Sequence, residues 1–135
     1  MLIKSPSGAL SPYYYKGGFF HGIHYGGYLD DACALLSMMN EEETFILKSP
    51  ERRRILIDLY ETNLTEELTA KIAQHVQRLS PRIVKLAISS DEKSLRQLRR
   101  ALNKAASLEA GQLCFSTDME AAKTWLVSDS FLPAK

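Results

Sequence analysis

The sequence predicts an α/β protein: a mixed, mostly parallel sheet of four or five strands, helices largely on one face, and an N-terminal β-hairpin. Three observations carry this expectation. The apolar runs Ile55–Ile57, Ile83–Ile88 and Leu113–Phe115 are short and near-continuous, as strands covered on both faces require. Stretches with apolar residues at helical spacing alternate with those runs, the pattern of strand–helix–strand crossovers. Ahead of them lies an aromatic and glycine-rich segment, GALSPYYYKGGFFHGIHYGGYL, that reads as two strand-like pieces around a turn.

The elements follow in order. Lys16-Gly17-Gly18 supplies the turn of the hairpin, because glycine tolerates the positive φ that a tight turn needs. Pro12 confines its strand to a sheet edge or a strand start. Asp30-Asp31 opens a helix, where carboxylates meet the positive end of the dipole. Ala32, Leu35, Leu36 and Met39 continue it at helical spacing. Residues 44–48 fit either the end of this helix, to about Leu47, or a short strand; helix is the preferred reading, and Pro50 ends both. After Ile55–Ile57, Thr65 to Leu79 is a helix with Leu68, Ile72, Val76 and Leu79 on one side. Ser80-Pro81 stops it. Ser89 to Glu92 reads as a capping box, with a helix behind it carrying Leu95, Leu98 and Leu102 inward and ending at Gly111. Thr117 and Glu120 read as a second capping box before the last helix.

At 135 residues this is one domain, 1–135, with the hairpin at 8–29, the core at 30–127 and a loose tail at 128–135. Seventeen basic residues stand against sixteen acidic ones, so the near-neutral charge argues against nucleic acid as a partner. Cys33 and Cys114 sit in apolar runs and read as buried, reduced thiols. The first residues lack the apolar core of a signal peptide, and no run approaches the roughly 20 apolar residues of a membrane span. The expected location is the cytoplasm.

The motif search excludes more than it finds. The glycines of the hairpin fit neither a phosphate loop nor a dinucleotide fingerprint. His21 and His24, three apart on a strand, point to opposite faces, and no cysteine or acidic cluster completes a metal site. No spacing singles out a catalytic triad. Arg96, Arg99, Arg100 and Lys104 read as a solvated helix face, and Arg52-Arg53-Arg54 as the exposed entrance to a strand. The aromatics Tyr13 to Tyr15, Phe19, Phe20, Tyr25 and Tyr28 read first as sheet cover, and second as a pocket wall or docking surface.

Three stretches, ILIDLYETNLTEEL, IVKLAISSDEKSLRQLRRAL and LCFSTDMEAAKTWL, together resemble the SpoIIAA-like family, grouped with the STAS domains (sulfate transporter and anti-sigma factor antagonist). The resemblance spans roughly Gly27 to Val127. It implies a sheet of four or five strands with helices largely on one side, and a regulatory rather than enzymatic role. In the family's antagonists, Asp-Ser-Ser-Gly opens the helix after the Asp-Leu strand, and a serine there is phosphorylated by a partner kinase. This chain reads Asn63-Leu64-Thr65-Glu66-Glu67-Leu68 in that region, so Thr65 is the nearest acceptor and also the natural helix cap.

Loops at the carboxyl ends of parallel strands are the default site in such a sheet. That places the candidate ligand- or partner-binding residues at Tyr60, Thr62, Asn63, Thr65, Ser89 and Ser90. No catalytic residue, cofactor or metal is expected. The leading reading is a STAS-like regulatory module that binds an unidentified protein partner. The alternative is a carrier of a small apolar ligand or lipid, associated with a membrane surface. A further alternative is a phospho-switch with a degenerate acceptor at Thr65. Homodimerisation through the hairpin edge is a separate expectation.

Overall fold

The computed structural model describes residues 3–8, 10–105 and 107–131. The chain runs β1 (Ile3–Lys4), β2 (Leu10–Ser11), β3 (Tyr13–Tyr15), β4 (Gly18–His24), α1 (Ala32–Leu47), β5 (Arg53–Asp58), α2 (Glu66–Leu79), β6 (Ile83–Ser89), α3 (Glu92–Ala105), β7 (Leu113–Ser116) and α4 (Met119–Val127). Five strands form one sheet in the order β3-β4-β5-β6-β7. Only β3 is antiparallel to its neighbour. The α/β class and the mixed, mostly parallel sheet are therefore as the sequence predicts.

Sheet order fixes where the helices go. From β4 onward each strand lies beside the next in sequence, and right-handed crossovers in one direction put every connecting helix on the same face. Leu35, Met39 and Ile46 of α1, Ile72 and Val76 of α2, and Leu98 and Leu102 of α3 accordingly share one core with Ile23, Ile55, Ile57, Leu86 and Ile88. A fully buried Ile or Leu of this kind contributes about 1.5–3 kcal/mol. α4 follows the last strand, is bound by no crossover, and packs on the other face. Its Ala122, Leu126 and Val127 meet Phe20, Leu56 and Ala87. Three helices on one face and one on the other agree with helices largely on one side.

The hairpin turn is a two-residue loop. Tyr15 pairs with Gly18, and Lys16 and Gly17 both have positive φ, 44° and 85°, the type I′ geometry that matches strand twist. Gly18 thus belongs to the strand. β1 and β2 form an extra two-stranded ribbon that the sequence did not announce. Residues 44–47 are helix, and Lys48 N–H closes the end on Thr44 O at 3.1 Å.

Several local expectations need correction. The α3 cap is Asp91, whose Oδ1 accepts from Ser94 N–H at 2.8 Å; Ser89 is still paired in β6, so the strand runs past the expected cap. Asp118, not Thr117, caps α4, accepting from Glu120 and Ala121 N–H at 3.0 and 3.3 Å. In both cases an aspartate nearer the helix outcompetes a hydroxyl. α3 ends at Ala105, well before Gly111, which lies in a 3₁₀ turn, Ala110–Gln112. Cys33 is exposed and Cys114 half-buried, so neither is a core thiol. The tail is not loose throughout: Ser128–Phe131 is a 3₁₀ turn, and Asp129 pairs with Arg54 and Lys85. Residues 132–135 lie outside the described residues. Tyr14 and Phe19 are exposed, whereas Phe20 and Tyr25 are buried, so the hairpin aromatics only partly cover the sheet. Among the described residues no helix is long and apolar enough to cross a membrane.

One polar network threads the main core. His75 of α2 is fully buried; its Nε2 lies 2.9 Å from Tyr25 Oη and its Nδ1 2.9 Å from Glu43 Oε1. Arg78 Nε donates to both Glu43 oxygens. Burial holds the His75 pKa below its ordinary 6.5, against the pull of Glu43. A depressed histidine gives stability that is complete above the ordinary value and is lost as pH falls through the folded one. We expect the urea midpoint to drop between about pH 7.5 and pH 5, and this drop to shrink in His75→Gln.

Candidate functional site

The four parallel strands end in register. His24, Asp58, Ser89 and Ser116 form one row across the sheet. The loops beyond them separate into two clusters, one on each face.

On the α4 face, His24 Nδ1 lies 2.7 Å from Asp58 Oδ2. Tyr60 reaches over the row: its hydroxyl donates to Thr117 O at 2.6 Å and shares a 2.7 Å hydrogen bond with Ser89 Oγ. Tyr60 and Ser89 are thus joined, but their polar atoms are used in fastening the loop after β5 to the loop after β7. Ser90 is fully buried, and its hydroxyl has no partner among the described residues.

On the other face, an open cleft of about 350 Å³ lies between the loops after β4 and β5 and the start of α3. Leu29, Asp30, Glu61, Asn63, Asp91 and Lys93 line it. The two loops continue the strand pairing beyond the sheet. Gly27 N–H donates to Tyr60 O, Leu29 N–H to Glu61 O, and Asn63 N–H to Leu29 O, each at 2.8 Å. Thr62 locks the same ladder from within, donating to Tyr25 O at 2.7 Å and accepting from Tyr28 N–H at 3.2 Å. Asn63 Nδ2 donates to Asp30 Oδ1 at 2.9 Å.

Leu29 and Glu61 both have left-handed backbones, with φ of 53° and 59°. For non-glycine residues that conformation costs of order 1–3 kcal/mol each, and it persists only where neighbours enforce it. Here the two strained residues hold each other through the Leu29–Glu61 hydrogen bond, and both line the cleft. Leu29 is 64% exposed at its lip, although large and apolar. The acidic groups of the rim are Asp30, Glu61 and Asp91. The Ser94 N–H holds the Asp91 carboxyl below the usual carboxylate range.

Of the six residues predicted from sequence, Thr62 and Asn63 line the cleft. Thr65 stands just behind it as the α2 cap, its Oγ1 accepting from Leu68 N–H at 3.1 Å. Tyr60 and Ser89 face the other side. Leu29, Asp30, Glu61, Asp91 and Lys93 were missed. Lys93 and Asp91 follow from recognising the true start of α3. Nothing in the residue types of Leu29 or Glu61 announces a left-handed backbone, since neither is Gly, Asn or Asp.

The fold is that of an α/β protein with a five-stranded mixed sheet and an open cleft at its carboxyl edge. Comparison with protein families, with curated proteins and with solved structures yields no match.

Proposed function

We propose that this chain is a STAS-like regulatory module that binds a protein partner at the carboxyl-edge cleft, without transforming it. One observation carries the reading: two mutually bonded, left-handed residues present an exposed leucine at the lip of one cleft. Strain concentrated in this way clusters at active sites, ligand clamps and switch regions. The acidic rim around Leu29 suits a partner segment that pairs an apolar side chain with a basic one. Thr62, Thr65 and Asp91 spend their side chains on holding backbone, which favours a fixed docking surface.

The carrier or membrane-surface reading draws support from Ile3, Tyr14 and Phe19, exposed together near the N-terminal strands. The phospho-switch reading rests on Thr65, which is exposed, with Glu66 and Glu67 following it at the helix start. Intact mass of protein from its own host, native and then denatured, separates the three. The interaction module predicts the mass of the bare chain after denaturation and no small ligand before it. Added mass lost on denaturation supports the carrier, and added mass that survives and maps to Thr65 supports the switch.

A further inference from the structure

A second constellation lies away from the cleft and does not depend on its reading. Ser11 Oγ is 2.8 Å from His21 Nδ1, and His21 Nε2 is 3.0 Å from Glu42 Oε1. The three residues come from β2, β4 and α1, and all are buried, at 4%, 2% and 0% exposure. Glu42 Oε2 also accepts Ser7 N–H at 2.9 Å. The His21 ring stacks on Phe45, with centroids 5.6 Å apart. From the other side, the Arg53 guanidinium donates to Ser11 Oγ at 3.0 Å.

One arrangement of the protons activates the serine. A guanidinium only donates, so Ser11 Oγ accepts from Arg53. With the ring neutral, the serine's own hydrogen goes to His21 Nδ1, which is then unprotonated. The ring proton sits on Nε2 and is donated to the Glu42 carboxylate. A doubly protonated ring would instead donate to Ser11 and leave the hydroxyl hydrogen without this acceptor. Burial opposes charge on Glu42, but hydrogen bonds from His21, Ser7 and Ser5 outweigh it and keep the carboxyl below its ordinary value. The result is a serine hydroxyl donating to an imidazole that a carboxylate holds in one tautomer. This is the relation of nucleophile, base and orienting acid found in serine hydrolases, with the two ring nitrogens exchanged.

The serine is not sealed off. Ser11 and His21 line a cavity of about 300 Å³ whose wall is partly apolar, with Ile3 and Phe19, and partly charged, with Glu51 and the arginines at 52–54. The Arg53 guanidinium also pairs with Glu51, Nη2 to Oε2 at 3.3 Å, and its Nε is buried with no hydrogen-bond partner among the described residues.

We propose that Ser11 is a nucleophile for acyl transfer from a small carboxylic ester. Ser11 Oγ bonds to the acyl carbon as its proton passes to His21 Nδ1, and the carbonyl electron pair moves onto oxygen. The Arg53 guanidinium offers positive charge to that oxyanion. When the carbonyl re-forms, the ester C–O bond breaks and the alcohol leaves with the proton from Nδ1. Water then attacks the acyl-serine, giving its proton to Nδ1. The carboxylic acid departs and the proton returns to Ser11. Glu42 stays ionised throughout and positions the ring. The net reaction is ester plus water to acid plus alcohol. The size of the cavity, at the small end of ligand sites, sets the substrate class.

The test uses the full chain and a fluorophosphonate reagent, which forms a stable Oγ–P bond with an activated serine and releases fluoride. Peptide mass mapping then finds the adduct. The native protein should be labelled once, on Ser11, while the chain unfolded in urea is not. Labelling should vanish in Ser11→Ala and slow by about 10²-fold or more in His21→Gln. Hydrolysis of p-nitrophenyl acetate should follow the same order. Absence of an adduct, an adduct at another serine, or equal rates for native and unfolded chains would overturn the proposal. The native-against-unfolded comparison needs no variant, so it decides the matter even if His21→Gln does not fold.

Discussion

Glu42→Ala lowers the folding free energy by about 3–5 kcal/mol, the cost typical of removing one partner from a buried ion pair or its hydrogen-bonded equivalent. The carboxylate is fully buried, and its donors include His21 Nε2–H at 3.0 Å and Ser7 N–H at 2.9 Å. Alanine strands both in a dry interior and leaves a cavity. It also loosens the segment between β1 and β2 from α1, because Ser5 and Ser7 reach that helix through the Glu42 carboxylate. Glu42→Gln loses less: its amide oxygen still accepts from one donor, while its NH₂ faces the other. Urea denaturation monitored by circular dichroism gives both values. The sign with pH is fixed by the depressed carboxyl. Its contribution is complete above the ordinary carboxylate value of 4.5 and is lost as pH falls through the lower folded value.

Gly26→Ala destabilises the protein by about 1–3 kcal/mol and distorts the cleft at the same time. A Cβ at this position would lie 2.5 Å from Asp58 Oδ1 and 2.6 Å from Tyr60 O. The Asp58 carboxylate can swing aside, at the cost of its contact with His24. The Tyr60 carbonyl cannot do so freely, since it accepts Gly27 N–H in the rung that begins the loop ladder. Moving that rung moves the Leu29–Glu61 rung next to it. The expected result is a lowered urea midpoint and weakened partner binding together. Gly111→Ala is the control, because a Cβ there meets nothing within 4 Å and should change neither.

The sheet was legible because its strands are near-continuous apolar runs and its helices carry unbroken stripes, as at Ile72, Val76 and Leu79. The hairpin was legible from Lys16-Gly17, a dipeptide that takes two positive φ values. Helix starts were misplaced by one or two residues at Asp91 and Asp118, since Ser, Thr and Asp all cap well and only the strand length chooses among them. The cleft was half legible. Thr62 and Asn63 follow from the rule about carboxyl ends, whereas Leu29 takes its backbone from Glu61, a partner 32 positions away. The Ser11–His21–Glu42 constellation was not legible at all. Its members lie on three elements, and β2 has too few residues to show any period.

The central claim is that the cleft takes a protein partner, and site-specific photo-crosslinking tests it most directly. A photoreactive amino acid at Leu29, on the cleft lip, is compared in the native host with one at Asn103, exposed on α3. The account predicts one defined protein crosslinked from position 29 and not from position 103, lost when Glu61→Lys reverses a charge on the rim. Equal crosslinking from both positions, or lipid alone captured at position 29, would contradict it.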